Sequence, residues 1–164
     1  MFELINEAQI HAPPDFVYDL IADVDGYSEW NPWNFRASGG PAAVGRTLTM
    51  SVKLGRWILK VKHDVSESRR GERLTTRDLG WFTRLASGVR TRDLQAAPEG
   101  SRYRVVLAIA GPLAWVVRWQ LGKHLEAGLR SETDAVKRTA EARWRARAAS
   151  DGSAAAESAE ANRD

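Results

Sequence analysis

The chain has 164 residues, no cysteine and a formal net charge of +3. This length suits one domain with a core of its own, and the lack of cysteine excludes a disulfide framework, a cysteine zinc site and a thiol nucleophile. Basic residues are scattered, and no tract alternates bases with aromatics, so we expect no nucleic-acid partner. No signal-peptide pattern is present, and the longest apolar stretch, residues 111–119, is too short to cross a bilayer, which predicts a cytoplasmic protein.

The first 33 residues predict a strand and two short helices. Residues 2–11 alternate between apolar and polar side chains, as in a strand with one buried face. Pro13 and Pro14 fit the first turn of a helix, and apolar residues follow at spacings of three and four up to Val24. Asp25-Gly26 ends this helix, and residues 27–33 predict a second one.

The middle of the chain alternates with a period of two, which predicts antiparallel strands over residues 47–54, 57–66, 73–79, 88–97 and 101–110. A long helix is predicted from Gly111-Pro112 to about Arg147, with an apolar stripe at helical spacing. After residue 147 the composition changes to small and acidic residues, so we expect a domain over residues 1–147 and a disordered tail over residues 148–164.

This order of elements predicts an α+β fold in which a curved antiparallel sheet of six to seven strands wraps around the long C-terminal helix. One helix cannot cover both faces of such a sheet, so the sheet is expected to curve around it. The arrangement is called a helix-grip fold, and its two short helices would follow the first strand.

One segment carries a family pattern, made up of Ala12-Pro13, Val17-Tyr18, and Tyr27 followed by Trp30-Asn31-Pro32. It resembles the polyketide cyclase/dehydrase-like branch of the START-related (SRPBCC, Bet v 1-like) superfamily. The resemblance implies a cavity between the sheet and the last helix that binds a hydrophobic small molecule such as a lipid or polyketide. The cavity residues expected from strand and helix faces are Met50, Trp57, Leu59, Val61, His63, Tyr103, Val105, Leu107, Val117, Leu121 and Leu125, and the resemblance adds Trp81 from a loop near the cavity mouth.

No catalytic constellation stands out in the sequence. His63 shares a strand face with apolar residues, so it should point into the cavity, where a neutral imidazole could act as a general base. A buried histidine satisfied by a neighbour is the favoured reading. Tyr103 and Arg90 are the other candidates for acid/base groups. Neither metal-ligand spacing nor a phosphate loop occurs, so no metal and no cofactor are expected.

Alternation leaves the register of the strand with Arg90 and Arg92 open. An inward arginine without a partner is costly and would imply a carboxylate, a phosphate or a ligand oxygen facing it. The other register sends both arginines to solvent, and the sequence favours that register.

Trp81, Trp115 and Trp119 have two readings. They could surround the cavity mouth and make transient contact with a membrane surface, or they could pack the helix against the sheet, which is favoured. Trp30 and Trp33 are expected to be structural. Binding is favoured over a cyclase/dehydrase activity without metal, and a membrane-associated lipid or quinone chaperone is a third alternative. The oligomeric state is expected to be monomer or homodimer.

Overall fold

The computed structural model describes residues 1–161 and shows seven strands, three α-helices and a 3₁₀-helix. In chain order the elements are β1 (Phe2–Ile10), α1 (Pro14–Ala22), α2 (Tyr27–Trp30), β2 (Arg36–Ser38), β3 (Thr47–Leu54), β4 (Trp57–Arg69), β5 (Arg73–Leu79), the 3₁₀-helix (Trp81–Arg84), β6 (Ser87–Ala97), β7 (Gly100–Ala110) and α3 (Ala114–Ala161). The predicted α+β helix-grip fold is confirmed, with seven strands in its sheet.

The strands form one antiparallel sheet in the order β1-β7-β6-β5-β4-β3-β2. Apolar residues alternate along each strand, so one face of the sheet carries the core. The pairing shifts by one residue between Val65 and Glu67 of β4, an irregularity of the kind that bends a strand and increases its twist. Such a bend helps the sheet to curve around helix α3.

The short helices follow β1 and close one end of the sheet. Pro14 occupies the first turn of α1, where a missing N–H costs nothing, and Val17 and Ile21 are fully buried. After α2, the side chain of Asn31 accepts backbone N–H bonds from Trp33 (3.0 Å) and Asn34 (2.8 Å). This side-chain turn explains the asparagine of the Trp-Asn-Pro sequence, because it fixes the backbone that places the Trp33 ring against helix α3.

Helix α3 lies against the apolar face of the sheet and buries Leu125, Leu129 and Val136. Gly128 allows the indole of Trp33 to approach the helix closely: a Cβ at that glycine would lie 2.3 Å from Trp33 Nε1. No helix within residues 1–161 combines the length and apolarity needed to cross a membrane.

Helix α3 continues to Ala161, the last described residue, whereas the sequence predicted an end near Arg147. The composition after residue 147 is rich in alanine, which has the highest helix propensity, so the same residues that cannot fill a core can extend a helix. The domain boundary at residue 147 and the disordered tail stay predictions, and residues 162–164 of that tail lie outside the described residues.

Candidate functional site

A cavity of about 240 Å³ lies between the sheet and the first turns of helix α3. Its wall is mainly apolar, and three polar side chains interrupt it: His63, Asp78 and Arg90. Apolar walls with a few converging polar groups are typical of small-molecule sites.

Seven of the cavity residues expected from the sequence line this cavity, namely Leu59, Val61, His63, Leu107, Val117, Leu121 and Leu125. Met50, Tyr103 and Val105 share the inner face but are buried in the packed core beside it. Trp57 and Trp81 are exposed at the surface, and Trp81 lines a neighbouring groove. Whether any of these residues binds a ligand stays a prediction.

Sequence reasoning missed several lining residues, which are Trp33, Val52, Leu54, Asp78, Phe82, Ala86, Gly88 and Ile109. Trp33 was expected to be structural, and it does pack against α3, but its ring also forms part of the wall. Val52, Leu54 and Ile109 continue the same alternation that identified Leu59 and Leu107, so the pattern itself could have found them. Nothing local marks Asp78, whose position depends on strand pairing.

His63 and Asp78 form a pair across strands β4 and β5, where they are register partners. The Nδ1 of His63 lies 3.0 Å from Oδ1 of Asp78, while Oδ2 of Asp78 accepts the backbone N–H of Gly88 at 2.8 Å. Gly88 is necessary for this arrangement, because a Cβ there would lie 2.6 Å from Oδ2. The pair favours the tautomer in which Nδ1 carries the proton, which leaves Nε2 as an acceptor.

The Nε2 of His63 is buried and has no hydrogen-bond partner within residues 1–161. Buried polar atoms are normally paired, so an unpaired acceptor on a cavity-lining side chain identifies a position where a ligand donor would be stabilised. The sequence predicted a histidine whose hydrogen bonds are satisfied by a neighbour, and this holds for Nδ1 but not for Nε2.

A second polar cluster joins the sheet to helix α3. Glu132 of α3 accepts hydrogen bonds from Arg92 (Nη2 to Oε1, 2.8 Å) and Arg90 (Nη1 to Oε2, 3.2 Å), and Asn34 approaches Oε2 at 3.4 Å. The guanidinium of Arg90 also lies 4.4 Å from the centre of the Trp33 ring, in cation–π geometry. Arg90 is 6% exposed and Arg92 is 1% exposed.

The register favoured from the sequence for Arg90 and Arg92 is therefore wrong, because both side chains point inward. The expectation depended on the cost of burying an unpaired arginine. The partner that removes this cost, Glu132, comes 40 residues after Arg92 in the chain and on a different element. Alternation within the strand carries no information about it.

Burial and the charges of this cluster shift the pKa values of Glu132 and Arg90. Burial raises the pKa of Glu132, but the attraction of Arg90 and Arg92 and their hydrogen bonds outweigh it, so its pKa is lowered. Burial lowers the pKa of Arg90 more than Glu132 raises it. Burial also raises the pKa of Tyr103, so its phenol keeps its proton and could donate but not act as a base.

Exposed aromatic rings lie on the two elements beside the cavity, with Trp81 on the 3₁₀-helix and Trp115 and Trp119 on the first turns of α3. Trp81, Trp115 and Trp119 are 80%, 69% and 79% exposed, so the favoured expectation that they pack the helix against the sheet is wrong. The 3₁₀-helix and the start of α3 are connected by a hydrogen bond from the Leu113 N–H to the Leu85 carbonyl (2.9 Å). Arg118 lies between the two helix tryptophans in sequence.

The opposite face of the sheet has a wider groove of about 610 Å³. Charged residues line it, and several pair with each other, among them Arg73 with Asp93 and Arg102 with Glu7. A groove of self-paired charges does not suit a hydrophobic ligand, so the apolar cavity is the candidate site.

A curved antiparallel sheet that wraps around a long C-terminal helix defines the helix-grip class of domain. The chain belongs to the family described as polyketide cyclase/dehydrase and lipid transport, which matches residues 1–141. No curated protein matches the chain at a significant level.

Solved structures share this fold at low sequence identity. The Zhui aromatase/cyclase from Streptomyces sp. R1128 is 17% identical, with a TM-score of 0.70 over 87% of this chain and 94% of that one. The protein TTHA0849 from Thermus thermophilus is 14% identical, with a TM-score of 0.71 over 87% and 99%. Ara h 8.0201 is 14% identical, with a TM-score of 0.64 over 85% and 97%.

Proposed function

We propose that the protein binds a hydrophobic small molecule, such as a lipid or polyketide, in the cavity between the sheet and helix α3. The observation that carries the proposal is the open apolar volume of about 240 Å³ among otherwise packed core residues. Burying apolar ligand surface there is worth about 25 cal/mol per Å². The membership of the family, whose description includes lipid transport, supports the same class of ligand.

Fluorescence of N-phenyl-naphthylamine, an apolar dye that brightens out of water, tests this proposal. The wild-type protein should bind the dye with one site per chain, and Leu121→Trp should abolish binding by filling the cavity. Val44→Trp is the matched control, because Val44 is exposed and does not line the cavity. Equal binding by all three proteins would place the dye elsewhere and contradict the proposal. In native mass spectrometry of the purified protein, we expect a mass above that of the chain alone, which corresponds to a retained apolar ligand.

A cyclase/dehydrase activity is a second candidate, favoured by the pairing of His63 with Asp78. Nε2 of His63 would take a proton from a carbon between two carbonyls of a bound polyketide chain. The resulting enolate carbon would attack another carbonyl of the chain to form a C–C bond, and the imidazolium would return the proton to the new alkoxide. Loss of the hydroxyl with a neighbouring hydrogen as water would complete the dehydration. Arg90 could stabilise the oxyanions, whereas Tyr103 is buried beside the cavity.

Mass spectrometry of incubations with poly-β-keto substrates tests this activity, because dehydration removes one water from the substrate mass. His63→Ala and Asp78→Asn should each lower turnover by about 10²–10⁴-fold, the usual contribution of general acid–base catalysis. Turnover that is unchanged in both variants would remove His63 from the mechanism. Absence of turnover in the wild type, together with dye binding, would leave the binding function alone.

Transient contact with a membrane surface is the proposed route by which an apolar ligand reaches the cavity. The exposed rings of Trp81, Trp115 and Trp119 support it, since indoles favour the membrane–water interface. A membrane-associated lipid or quinone chaperone would use the same surface. The cytoplasmic location and the monomeric or homodimeric state stay predictions from the sequence.

A further inference from the structure

Two buried guanidinium groups, of which one lines the cavity, share one carboxylate. Arg90 and Arg92 each hydrogen-bond Glu132, and among the described residues no other carboxylate pairs with either of them. The cluster therefore holds two positive charges and one negative charge in a region shielded from water. Buried charges are normally fully paired, because an uncompensated charge is costly to desolvate.

The cavity reaches this positively charged cluster at Arg90. Arg92 makes the shorter contact to Glu132, 2.8 Å against 3.2 Å for Arg90, and only Arg90 lines the cavity. Within residues 1–161, Nε of Arg90 and both Nε and Nη1 of Arg92 are buried without a hydrogen-bond partner, but only Arg90 lines the cavity, where a ligand can reach it. The lowered pKa of Arg90 agrees with this picture, since burial outweighs the attraction of Glu132. The face of the Trp33 ring also stabilises the Arg90 guanidinium but supplies no counter-charge.

We infer that the natural ligand is a hydrophobic anion whose acidic head group, of the carboxylate class, binds Arg90 while its apolar part fills the cavity. The anion would bring the net charge of the cluster to zero, which neither an alcohol nor a hydrocarbon could do. Asp78, the negative side chain in the wall, repels such an anion only weakly, because it is 37% exposed to solvent and its two oxygens face His63 and the backbone of Gly88. The inference rests on the proposed binding function and specifies its ligand.

Displacement of the bound dye by decanoic acid and, separately, by decan-1-ol tests the inference at a pH where the acid is ionised. The two competitors have the same number of carbons and differ in the charged group. The measured quantity is the ratio of the alcohol's Kd to the acid's Kd, compared between wild type and variant, so that the ligands' own hydrophobicity cancels.

Arg90→Met should lower this ratio by about tenfold or more, as expected for loss of a charge-assisted hydrogen bond. This variant leaves Glu132 paired one-to-one with Arg92, so the fold should be retained, which circular dichroism checks. Arg90→Lys keeps the charge and should keep most of the preference. Arg104→Met removes an arginine that pairs with Glu7 on the other face of the sheet and should leave the ratio unchanged.

A titration of carboxyl-labelled decanoic acid bound to the wild-type protein gives an independent NMR test that needs no variant. Contact with Arg90 would lower the pKa of the bound carboxyl below that of the free acid, whereas an apolar wall would raise it. A raised pKa, or an unchanged ratio in Arg90→Met, would overturn the inference while dye binding upheld the cavity. Failure of the wild type to bind the dye, the acid or the alcohol would overturn both proposals.

Discussion

The Glu132 carboxylate of helix α3 accepts a hydrogen bond of 2.8 Å from Arg92 of strand β6, with both side chains about 1% exposed. This contact joins the last helix to the centre of the sheet. Glu132→Gln would leave two buried guanidiniums without a counter-charge. We expect it to lower the free energy of unfolding by about 3–5 kcal/mol, as measured by chemical denaturation.

The control for this variant is Glu126→Gln on the same helix. Glu126 is exposed and lies 3.8 Å from Arg130, a surface pair of little energetic weight. Its substitution should change the free energy of unfolding by no more than about 0.5 kcal/mol. Equal stability of the two variants would show that the buried cluster does not hold the helix to the sheet.

The same carboxylate predicts a dependence of stability on pH. The pKa of Glu132 is lowered in the folded protein from its ordinary value of 4.5, so the folded state binds its proton less readily than the unfolded state does. Its contribution is fully present above about pH 4.5 and is lost as the pH falls through the lowered pKa. Denaturation at a series of pH values should therefore show a steeper loss of stability in acid for wild type than for Glu132→Gln. Parallel curves would contradict this prediction.

Gly88→Ala should disturb the pairing of His63 with Asp78 while leaving the fold intact. The new Cβ would lie 2.6 Å from Asp78 Oδ2, and the end of a side chain moves more easily than backbone. The expected result is loss of the protected His63 Nδ1–H signal in NMR spectra, with little change in thermal stability. A retained signal would mean that Asp78 keeps its contact from another position.

Two glycines of helix α3 provide a matched comparison. Gly128→Ala would place a Cβ 2.3 Å from Trp33 Nε1 and should destabilise the protein by about 1–3 kcal/mol, the usual cost of overpacking. Gly122→Ala meets only Arg118 Cγ, at 3.8 Å, and should stabilise the helix by about 0.5–1 kcal/mol. Denaturant midpoints measure the stability of both variants. A Gly128→Ala variant as stable as the wild type, or more stable, would show that Trp33 can move away from the helix.

Periodicity predicted the parts of this fold whose information is local. Alternation placed His63 on the inner face, and the helical stripe placed Leu121 and Leu125 against the sheet. The orientation of Arg90 could not be obtained in this way, because its partner Glu132 is 42 residues away on another element. The position of Asp78 depends on the pairing of β5 with β4. The sequence shows only a polar residue at the end of a strand and does not indicate this pairing.

The limits of the cavity were equally hidden from the sequence. Met50 and Val105 share the inner face with Leu59 and Leu107, but they are packed into the core. Whether a residue on that face meets a neighbour or an opening depends on how the sheet curves and on where α3 crosses it. The pattern of a single strand therefore predicts the face and not the open volume.

The exposed rings of Trp81, Trp115 and Trp119 predict binding to vesicles that carry anionic lipid. Basic side chains accompany them, since Lys60 and Lys62 line the same groove as Trp81 and Arg118 separates Trp115 from Trp119. Each base near an anionic surface contributes about 1 kcal/mol, and an inserted apolar side chain about 1.5–3 kcal/mol.

Sedimentation with vesicles of phosphatidylcholine and phosphatidylserine measures this binding. Trp81→Ala combined with Trp119→Ala should weaken it by about tenfold or more, because two indoles leave the interface. Val44→Ala removes an exposed apolar side chain that does not line the groove with Trp81, Lys60 and Lys62, and it should have no effect. Salt should weaken the binding of the wild type, since the charges involved are exposed. Equal binding by wild type and the double variant would show that these rings do not contact lipid.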